Sequence, residues 1–364
     1  MNILFIANTL DKSEQALAIW LSLQGERVTV ICNPSFSGIH ELENASIHVI
    51  PQRISNRLDV TVLPLIRRIC RNKPIDTIYA TFNSGISASA FSCLGLPVRL
   101  VTYRGTLGNL SPYDPSSYLT HFHPRIDGIV ANCDAVKEFL IRSGIAEPKI
   151  RRIYKGHDQQ WYAIPSNEDL PTREALGFAP EDFIIGVVAN FRPLKGIPVL
   201  LHALSKAPTS LRMRILLIGE DRDPEIQQTL SNLKLKDQVQ TLGFQDNPRK
   251  FLPLFDMTVL PSTRREGVAR SVLEAMSLGI PCVVSDVGGL PEVVDHGQSG
   301  LVVPANDSEE LLKAIVTLHD SPSLRSTFGQ AGKRIFQERF SLERYFSEMY
   351  DFLKSPKRSE SLQQ

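Results

Sequence analysis

Residues 257–286 read MTVLPSTRREGVARSVLEAMSLGIPCVVSD. A short apolar run, MTVLP, leads through the polar turn STRREG into a helical pattern, VARSVLEAMSLG, which Gly279 closes. Pro281 follows, as is common just beyond the end of a helix, and the apolar run PCVVSD begins. The order strand, turn, helix, strand predicts one unit of a parallel α/β sheet.

The same alternation extends along the chain in two series. Buried parallel strands are short and rich in β-branched residues, so each series predicts a doubly wound parallel sheet with helices on both faces. The predicted strands are 2–7, 27–32, 46–50, 76–80, 98–102 and 128–132 in the first series, and 183–190, 214–219, 239–243, 257–261, 281–286 and 301–304 in the second. Helical patterns in the second series cover 196–206, 223–233, 268–278 and 307–318.

A chain of 364 residues has the length for two such domains, which we expect to face each other across a cleft. The polar stretch around their junction predicts an N-terminal domain at 1–160 and a C-terminal domain at 161–340. The final helical pattern, 341–354, has no strand after it and is expected to pack back. The polar tail, 355–364, is expected to be disordered.

Composition excludes several classes of function. The net charge is +1, which gives no overall attraction to nucleic acid. The five cysteines form no CxxC pair, which argues against a zinc site or a disulfide framework and favours a reducing compartment. The start, MNILFIANTLDKSEQ, lacks the features of a signal peptide, and no apolar run approaches the ~20 residues of a membrane span. A cytoplasmic protein without a metal site is predicted.

Two carboxylates frame the helix start in the opening segment: Glu266 precedes it, and Glu274 lies inside it. The first backbone N–H groups of a helix form a ready anion site, and Gly267 allows a ligand to approach the backbone closely. A ligand with central phosphates and a polyol at each end, such as a nucleotide sugar, would fit. The alternative is an acidic residue beside the first turn and a solvated helical glutamate. The N–H groups are those near Val268, Ala269 and Arg270.

Two further turns after strands carry related chemistry. In VVANFRPLKG (187–196), Arg192 and Lys195 could clamp a diphosphate, or they could be a solvated basic turn. In SDVGGLPEVVDHG, Gly288 and Gly289 could approach a phosphate, or they could form a tight connection.

Taken together, these stretches resemble glycosyltransferase family 4, the retaining nucleotide-sugar transferases of the GT-B fold. The E-x7-E element, here Glu266 and Glu274, is the family's most specific mark. The resemblance is strong over residues ~183–320, through FRPLKG, IGE, LGF and the segment from LPSTRREG to LVVP. It is weaker in IDGIVANCDAVKEFL and KIRRIYKGHD, within 127–158.

The resemblance implies a role for each matching residue. Glu274 would bind the ribose hydroxyls of the donor, Glu266 would lie at the donor sugar, and Lys195 with Arg192 would hold the diphosphate. Transfer with retention by front-face attack, assisted by the departing phosphate, requires no nucleophile from the chain. The donor would be linked to UDP or GDP, and no cofactor would be required. The remaining donor contacts would come from Gly267, Val268, Ala269, Arg270, Gly219, Gly243 and Phe244, of which the last two would lie near the base.

The sequence departs from the family at three places, the last two of them in the N-terminal domain. Asn190 stands where many relatives have arginine, the turn NTLDKSEQ lacks glycine, and TYRG replaces a V-x-H-G loop. Arg104 could therefore meet an acidic or phosphorylated acceptor, or it could be a structural ion-pair partner. Gly105 and His157 complete the acceptor-side candidates, His157 at the domain junction.

The implied function is transfer of a sugar to a glycan or lipid-linked acceptor, in cell-surface polysaccharide or glycolipid synthesis. A nucleotide-sugar epimerase or hydrolase, and a non-catalytic nucleotide-sugar-binding protein, stay open as alternatives. The basic segment 53–73 is either a contact to the anionic inner face of a membrane or a packed helix with a solvated face. His121 and His123 are interpreted as polar surface or acceptor-side residues, and the Asp221–Asp223 pair as a helix cap.

Overall fold

The computed structural model describes residues 1–164 and 170–355. It divides into two compact units. Unit 1 comprises Met1–His157 and the segment that begins at Phe340, and unit 2 comprises Asp158–Arg339.

Unit 1 is built on a seven-stranded parallel sheet with the strand order β3-β2-β1-β4-β5-β6-β7. Its seventh strand, which follows a single 3₁₀ turn, was not predicted. The strands are β1 Asn2–Ile6, β2 Arg27–Cys32, β3 His48–Pro51, β4 Thr77–Ala80, β5 Arg99–Arg104, β6 Gly128–Ala131 and β7 Ile150–Arg152. The helices are α1 Lys12–Leu23, α2 Ile39–Asn44, α3 Leu63–Asn72, α4 Asn83–Ser92 and α5 Asp134–Arg142.

Unit 2 is built on a six-stranded parallel sheet with the order β10-β9-β8-β11-β12-β13. Two parallel Rossmann-like sheets confirm the predicted α/β fold class. The strands are β8 Phe183–Val188, β9 Met213–Ile218, β10 Val239–Thr241, β11 Met257–Leu260, β12 Cys282–Ser285 and β13 Gly300–Val303. The helices are α6 Ile197–Ser205, α7 Pro224–Asn232, α8 Arg270–Ser277, α9 Leu290–Val293, α10 Ser308–Asp320 and α11 Pro322–Arg339.

The last helix, α12 (Leu342–Lys354), belongs to unit 1. Tyr345, Met349 and Leu353 are part of the buried core of that unit, and Thr77 donates a hydrogen bond to the Leu353 carbonyl at 2.9 Å. The indole of Trp20 stacks on the ring of Phe346, with centroids 5.2 Å apart. Burial of this apolar face explains why a helix without a following strand stays folded.

Two predicted segments are described only in part. Residues 165–169 of the junction and residues 356–364 of the tail lie outside the described residues. Among residues 1–164 and 170–355, none of the helices combines the length and the apolar character needed to cross a bilayer.

Candidate active site

The main charged groups of the site lie on the loops that follow two neighbouring strands at the centre of the unit 2 sheet. β8 and β11 pair in parallel, with Met257 opposite Ile185, so the loops that follow them leave the same edge of the sheet. The backbone N–H of Thr263 donates to the Leu194 carbonyl at 2.8 Å and ties the two loops together. Ligands of open α/β sheets bind at this edge, beyond the carboxyl ends of the strands.

Lys195 and Glu266 meet across these two loops. The Lys195 Nζ lies 2.7 Å from the Glu266 Oε2, and each side chain is 13% exposed. The hydroxyl of Ser262 donates to the same carboxylate oxygen at 2.8 Å. In this state the cation and the carboxylate neutralise each other while both still reach solvent.

Helix α8 starts beside this pair without a side-chain cap. Ala269 occupies the N-cap position, and its carbonyl accepts from the N–H groups of Val272 and Leu273 at 3.1 and 3.2 Å. The first N–H groups of a helix have no acceptor within the helix, and they lie at the positive end of its dipole. Of the predicted tip residues, Gly267 and Ala269 are buried, Val268 is half-buried and Arg270 is exposed.

Glu274 is a buried carboxylate. Glu274 is 5% exposed, and its Oε1 accepts a hydrogen bond of 3.0 Å from the Arg270 Nε, one helical turn away. It is therefore not the solvated helical glutamate that its position alone would allow. A buried carboxylate needs a partner, and Arg270 supplies a positive one.

Glycines hold the loops of the site at close range. Gly288 has a φ of +58°, and a Cβ there would lie 1.9 Å from the Glu266 carbonyl oxygen. Gly289 donates its N–H to that same oxygen at 3.1 Å. The Gly-Gly turn therefore positions the backbone of Glu266. Gly196 has a φ of +67°, and its Cβ would lie 2.1 Å from the Pro261 carbonyl oxygen.

The remaining donor-side candidates lie along the same edge. Arg192 is exposed at the start of the 3₁₀ turn Pro193–Lys195. Gly219 directly follows β9, and its N–H donates to the Gly243 carbonyl at 2.8 Å. The next residue, Phe244, is 67% exposed, which is unusual for a phenyl ring and leaves its face open to a planar ligand.

The Asp221–Asp223 pair forms a cap, as predicted. The side chain of Asp223 accepts from the Glu225 N–H at 3.1 Å at the start of α7, and Asp221 accepts from the Asp223 N–H. No group of three or more His, Cys, Asp or Glu side chains within the described ranges is arranged to hold a metal ion.

In unit 1, Arg104 ends β5 and is 8% exposed. It donates to the carbonyl of Thr106 at 3.0 Å and to that of Gly108, so it braces its own loop. Burial and the nearby Arg57 lower the pKa of Arg104. The carbonyl of Gly105 accepts from the Asn132 side chain at 3.2 Å.

His157 lies where the chain leaves unit 1. Its N–H donates to the Phe340 carbonyl at 2.7 Å and joins the outgoing segment to the returning one. The observed role of His157 is thus a backbone role. The side chain of His157 also exerts an electrostatic effect that lowers the pKa of Asp11.

The interpretation of His121 and His123 as polar surface was wrong, because they are 3% and 8% exposed. The ring of His121 faces the Thr102 hydroxyl at 3.3 Å. Burial, together with the cations Arg104 and Arg57, lowers the pKa of His121 to about 3. The flanking apolar and aromatic residues in YLTHFHPR were a signal that the sequence interpretation did not use.

The sequence interpretation also missed a partly buried charge cluster after β1, in which Glu14 is buried and Asp11 is exposed. Asp11 and Glu14 form a reciprocal capping box at the start of α1. The ammonium of Lys155 donates to both carboxylates, at 2.8 Å to Glu14. Burial raises the pKa of Glu14 despite the attraction of Lys155. The D-x-x-E spacing in LDKSE was a signal for the cap, but nothing in the sequence pointed to Lys155.

Two Rossmann-like parallel α/β units are the architecture of the GT-B glycosyltransferases. In unit 2, opposite charges lie together on the loops at one edge of the sheet. Two family models match the chain: Glycosyltransferase Family 4 over residues 15–161, and Glycosyl transferases group 1 over residues 170–335. These matches support a glycosyltransferase of the family 4 type.

Curated relatives carry glycosyltransferase names. N-acetyl-alpha-D-glucosaminyl L-malate synthase of Bacillus anthracis is 29% identical over 215 residues, which are 57% of this chain and 55% of the relative. D-inositol 3-phosphate glycosyltransferase of Saccharomonospora viridis is 30% identical over 243 residues, 62% of this chain and 54% of the relative. The chain thus spans about half the length of these relatives.

Solved structures share the fold over nearly the whole chain. Anabaena HepE in complex with UDP has a TM-score of 0.79 at 23% identity, over 97% of this chain and 99% of that one. Sucrose-phosphate synthase of Thermosynechococcus elongatus has a TM-score of 0.75 at 19% identity, over 97% and 98%. At these identities the likeness shows the fold alone.

Proposed function

We propose that this protein is a retaining glycosyltransferase that moves a sugar from a nucleotide-sugar donor to an acceptor. The observation that carries the proposal is the joint placement of Lys195, Glu266 and the Arg270–Glu274 pair around the start of α8. Two supports come from relatives: their names are those of glycosyltransferases, and HepE has been crystallised with UDP and with UDP-glucose.

The donor fits the site in an ordered way. Its diphosphate lies at the tip of α8, where the backbone N–H groups and Lys195 meet negative charge, with Arg192 as a second cation. Glu274 receives the ribose hydroxyls, and Glu266 receives a hydroxyl of the sugar. The exposed ring of Phe244 offers a surface for the base.

Catalysis rests on charge stabilisation of the departing diphosphate. Negative charge grows on the phosphate oxygens as the glycosidic bond breaks, and Lys195 is pre-placed to oppose it. The acceptor hydroxyl attacks from the same face and gives its proton to the leaving phosphate oxygen, so configuration is retained. The acceptor is a glycan or lipid-linked molecule bound by unit 1, in cell-surface polysaccharide or glycolipid synthesis.

Nucleotide release tests this function. The protein is incubated with UDP- and GDP-linked sugars, with and without glycan or lipid-linked acceptors. A transferase releases nucleotide only with an acceptor and forms a product with the donor's anomeric configuration, which NMR reads directly. Release without an acceptor indicates a hydrolase, and binding without release indicates a non-catalytic protein. Either of these results contradicts the proposal.

We further propose that unit 1 adsorbs to the anionic inner face of a membrane through segment 53–73. Helix α3 buries Ile66 and Ile69 in unit 1, so its apolar face is not available to lipid. Arg67 donates hydrogen bonds to the carbonyls of Ser92 and Leu94. The groups that remain available are exposed cations and an exposed apolar pair in the loop before the helix. The cations are Arg53, Arg68, Arg71 and Lys73, and the apolar pair is Leu58 and Val60.

Vesicle co-sedimentation checks this adsorption. Each Lys or Arg near an anionic surface contributes about 1 kcal/mol, so Arg68→Glu with Arg71→Glu should lower partitioning into phosphatidylglycerol-containing vesicles by about tenfold or more. The matched control, Lys234→Glu with Lys236→Glu, reverses two exposed charges of unit 2 and should have no effect. Equal binding of the wild type to purely zwitterionic vesicles would rule out an electrostatic contact.

A further inference from the structure

Arg270 stands in a position that the local rules of helix formation disfavour. It is the first residue of α8, and a cation there opposes the positive end of the helix dipole. No acidic residue in the first turn compensates for it. Residues that oppose the local preferences of a helix are most often found at functional sites.

Two buried groups hold the Arg270 guanidinium in place. Its Nε donates to the Glu274 Oε1 at 3.0 Å, and the guanidinium also donates to the hydroxyl oxygen of Tyr162. Tyr162 and Glu274 are 2% and 5% exposed, whereas the Arg270 side chain is 64% exposed. One edge of the guanidinium is therefore fixed by the protein, and the remainder faces solvent at the helix tip.

Tyr162 is itself firmly placed. It ends the 3₁₀ turn Gln159–Tyr162, the first element of unit 2, and its ring lies edge-on to that of Phe336, with centroids 5.7 Å apart. Burial raises the pKa of Tyr162, which keeps the phenol protonated. The hydroxyl thus provides a fixed acceptor for Arg270.

We propose that Tyr162 and Arg270 are positioning residues that fix the rotamer of Glu274 and thereby set the preference of the site for a nucleotide with an intact ribose. This inference rests on the proposed function, in which Glu274 receives the ribose hydroxyls. The hydrogen bonds from Arg270 to Tyr162 and to Glu274 together fix the orientation of one carboxylate, that of Glu274. Loss of these hydrogen bonds should therefore weaken binding of the ribose hydroxyls and should have much less effect on binding of the rest of the nucleotide.

The test compares two ligand pairs by isothermal titration calorimetry: UDP and GDP, each with its 2′,3′-dideoxy analogue. The wild type should prefer the intact ribose by about tenfold or more, as expected for losing a hydrogen bond to a charged group. Tyr162→Phe and Arg270→Ala should each reduce that preference by about threefold to tenfold. Arg270→Lys should restore part of it, and Glu274→Gln should nearly abolish it.

Matched controls come from unit 1. Arg344 donates its Nε to the Glu348 Oε1 at 2.8 Å with the same i,i+4 spacing, and the Tyr350 hydroxyl donates to Glu26 at 2.8 Å. Arg344→Ala and Tyr350→Phe should leave the ribose preference unchanged. Since Tyr162→Phe keeps the ring, its thermal unfolding should stay close to that of the wild type.

The outcomes separate the two levels of the proposal. A wild type that binds neither UDP nor GDP overturns the proposed function and this inference with it. A wild type that prefers the intact ribose, with variants that weaken both ligands of a pair by the same factor, overturns the positioning role alone. That second result would show that Tyr162 and Arg270 act only on general stability or charge.

Discussion

Replacing Lys195 by alanine is expected to lower kcat by about two to three orders of magnitude while the protein stays folded. Lys195 lies 2.7 Å from Glu266 and is 13% exposed, so it is placed to meet a ligand without being part of the core. The substitution removes the cation of the Lys195–Glu266 pair. The Glu266 carboxylate keeps the hydrogen bond from the Ser262 hydroxyl. In the proposed mechanism, negative charge on the departing diphosphate would then be opposed by Arg192 and the helix tip alone.

Steady-state kinetics with a donor identified by the nucleotide-release assay checks this prediction. Lys206 provides the matched control, because its Nζ lies 2.9 Å from the Glu309 Oε1 in a pair exposed by 48% and 72%. Lys206→Ala should keep wild-type turnover, since exposed pairs contribute little and this one lies on the α6–α10 surface. Wild-type turnover in Lys195→Ala would show that Lys195 has no part in the chemistry.

The α/β fold could be predicted because its signal is local. Runs such as RILLIG and PCVVSD are short, apolar and separated by amphipathic segments, and both form strands within one or two residues of the predicted limits. Helix α10 was likewise predicted at 307–318 and extends over Ser308–Asp320. In these elements, propensity, pattern and tertiary burial agree.

Helix α11 escaped prediction because its signal is tertiary. Its sequence, PSLRSTFGQAGKRIFQER, contains two glycines and several polar β-branched or short residues, which lower helix propensity. A Cβ at Gly329 would lie 2.0 Å from the Gly279 carbonyl oxygen, so the glycine permits close contact with the end of α8. Only the folded partner explains why a residue that weakens the helix is present.

The candidate site divides in the same way. The position of Glu266 and Glu274 around a predicted helix start, with the family resemblance, made both carboxylates candidates, and the folded chain brings Lys195 within 2.7 Å of Glu266. The burial of Glu274 and the contribution of Tyr162 could not be predicted, because Tyr162 lies more than a hundred residues before Arg270 in the chain. Long-range side-chain contacts leave no periodic trace in a single sequence.

Gly288→Ala is expected to destabilise unit 2 and to displace Glu266. An alanine at a φ of +58° costs about 1–2 kcal/mol, since the left-handed region brings Cβ close to the backbone. Here the Cβ would also lie 1.9 Å from the Glu266 carbonyl oxygen, and a backbone atom cannot rotate away as a side chain does. Overpacking of this kind adds about 1–3 kcal/mol, which gives a total loss of about 2–5 kcal/mol in the free energy of unfolding.

Gly297 separates the two causes, because it has a φ of +72° but nothing within 4 Å of its Cβ position. Gly297→Ala should therefore show only the conformational part, about 1–2 kcal/mol. Urea unfolding of the two variants and the wild type measures the difference. Nucleotide affinity, measured in parallel, should fall in Gly288→Ala alone, because only that variant moves the backbone that carries Glu266. Equal unfolding midpoints for the two variants would mean that the loop yields to the clash without resistance, so the Gly-Gly turn would not be what positions Glu266.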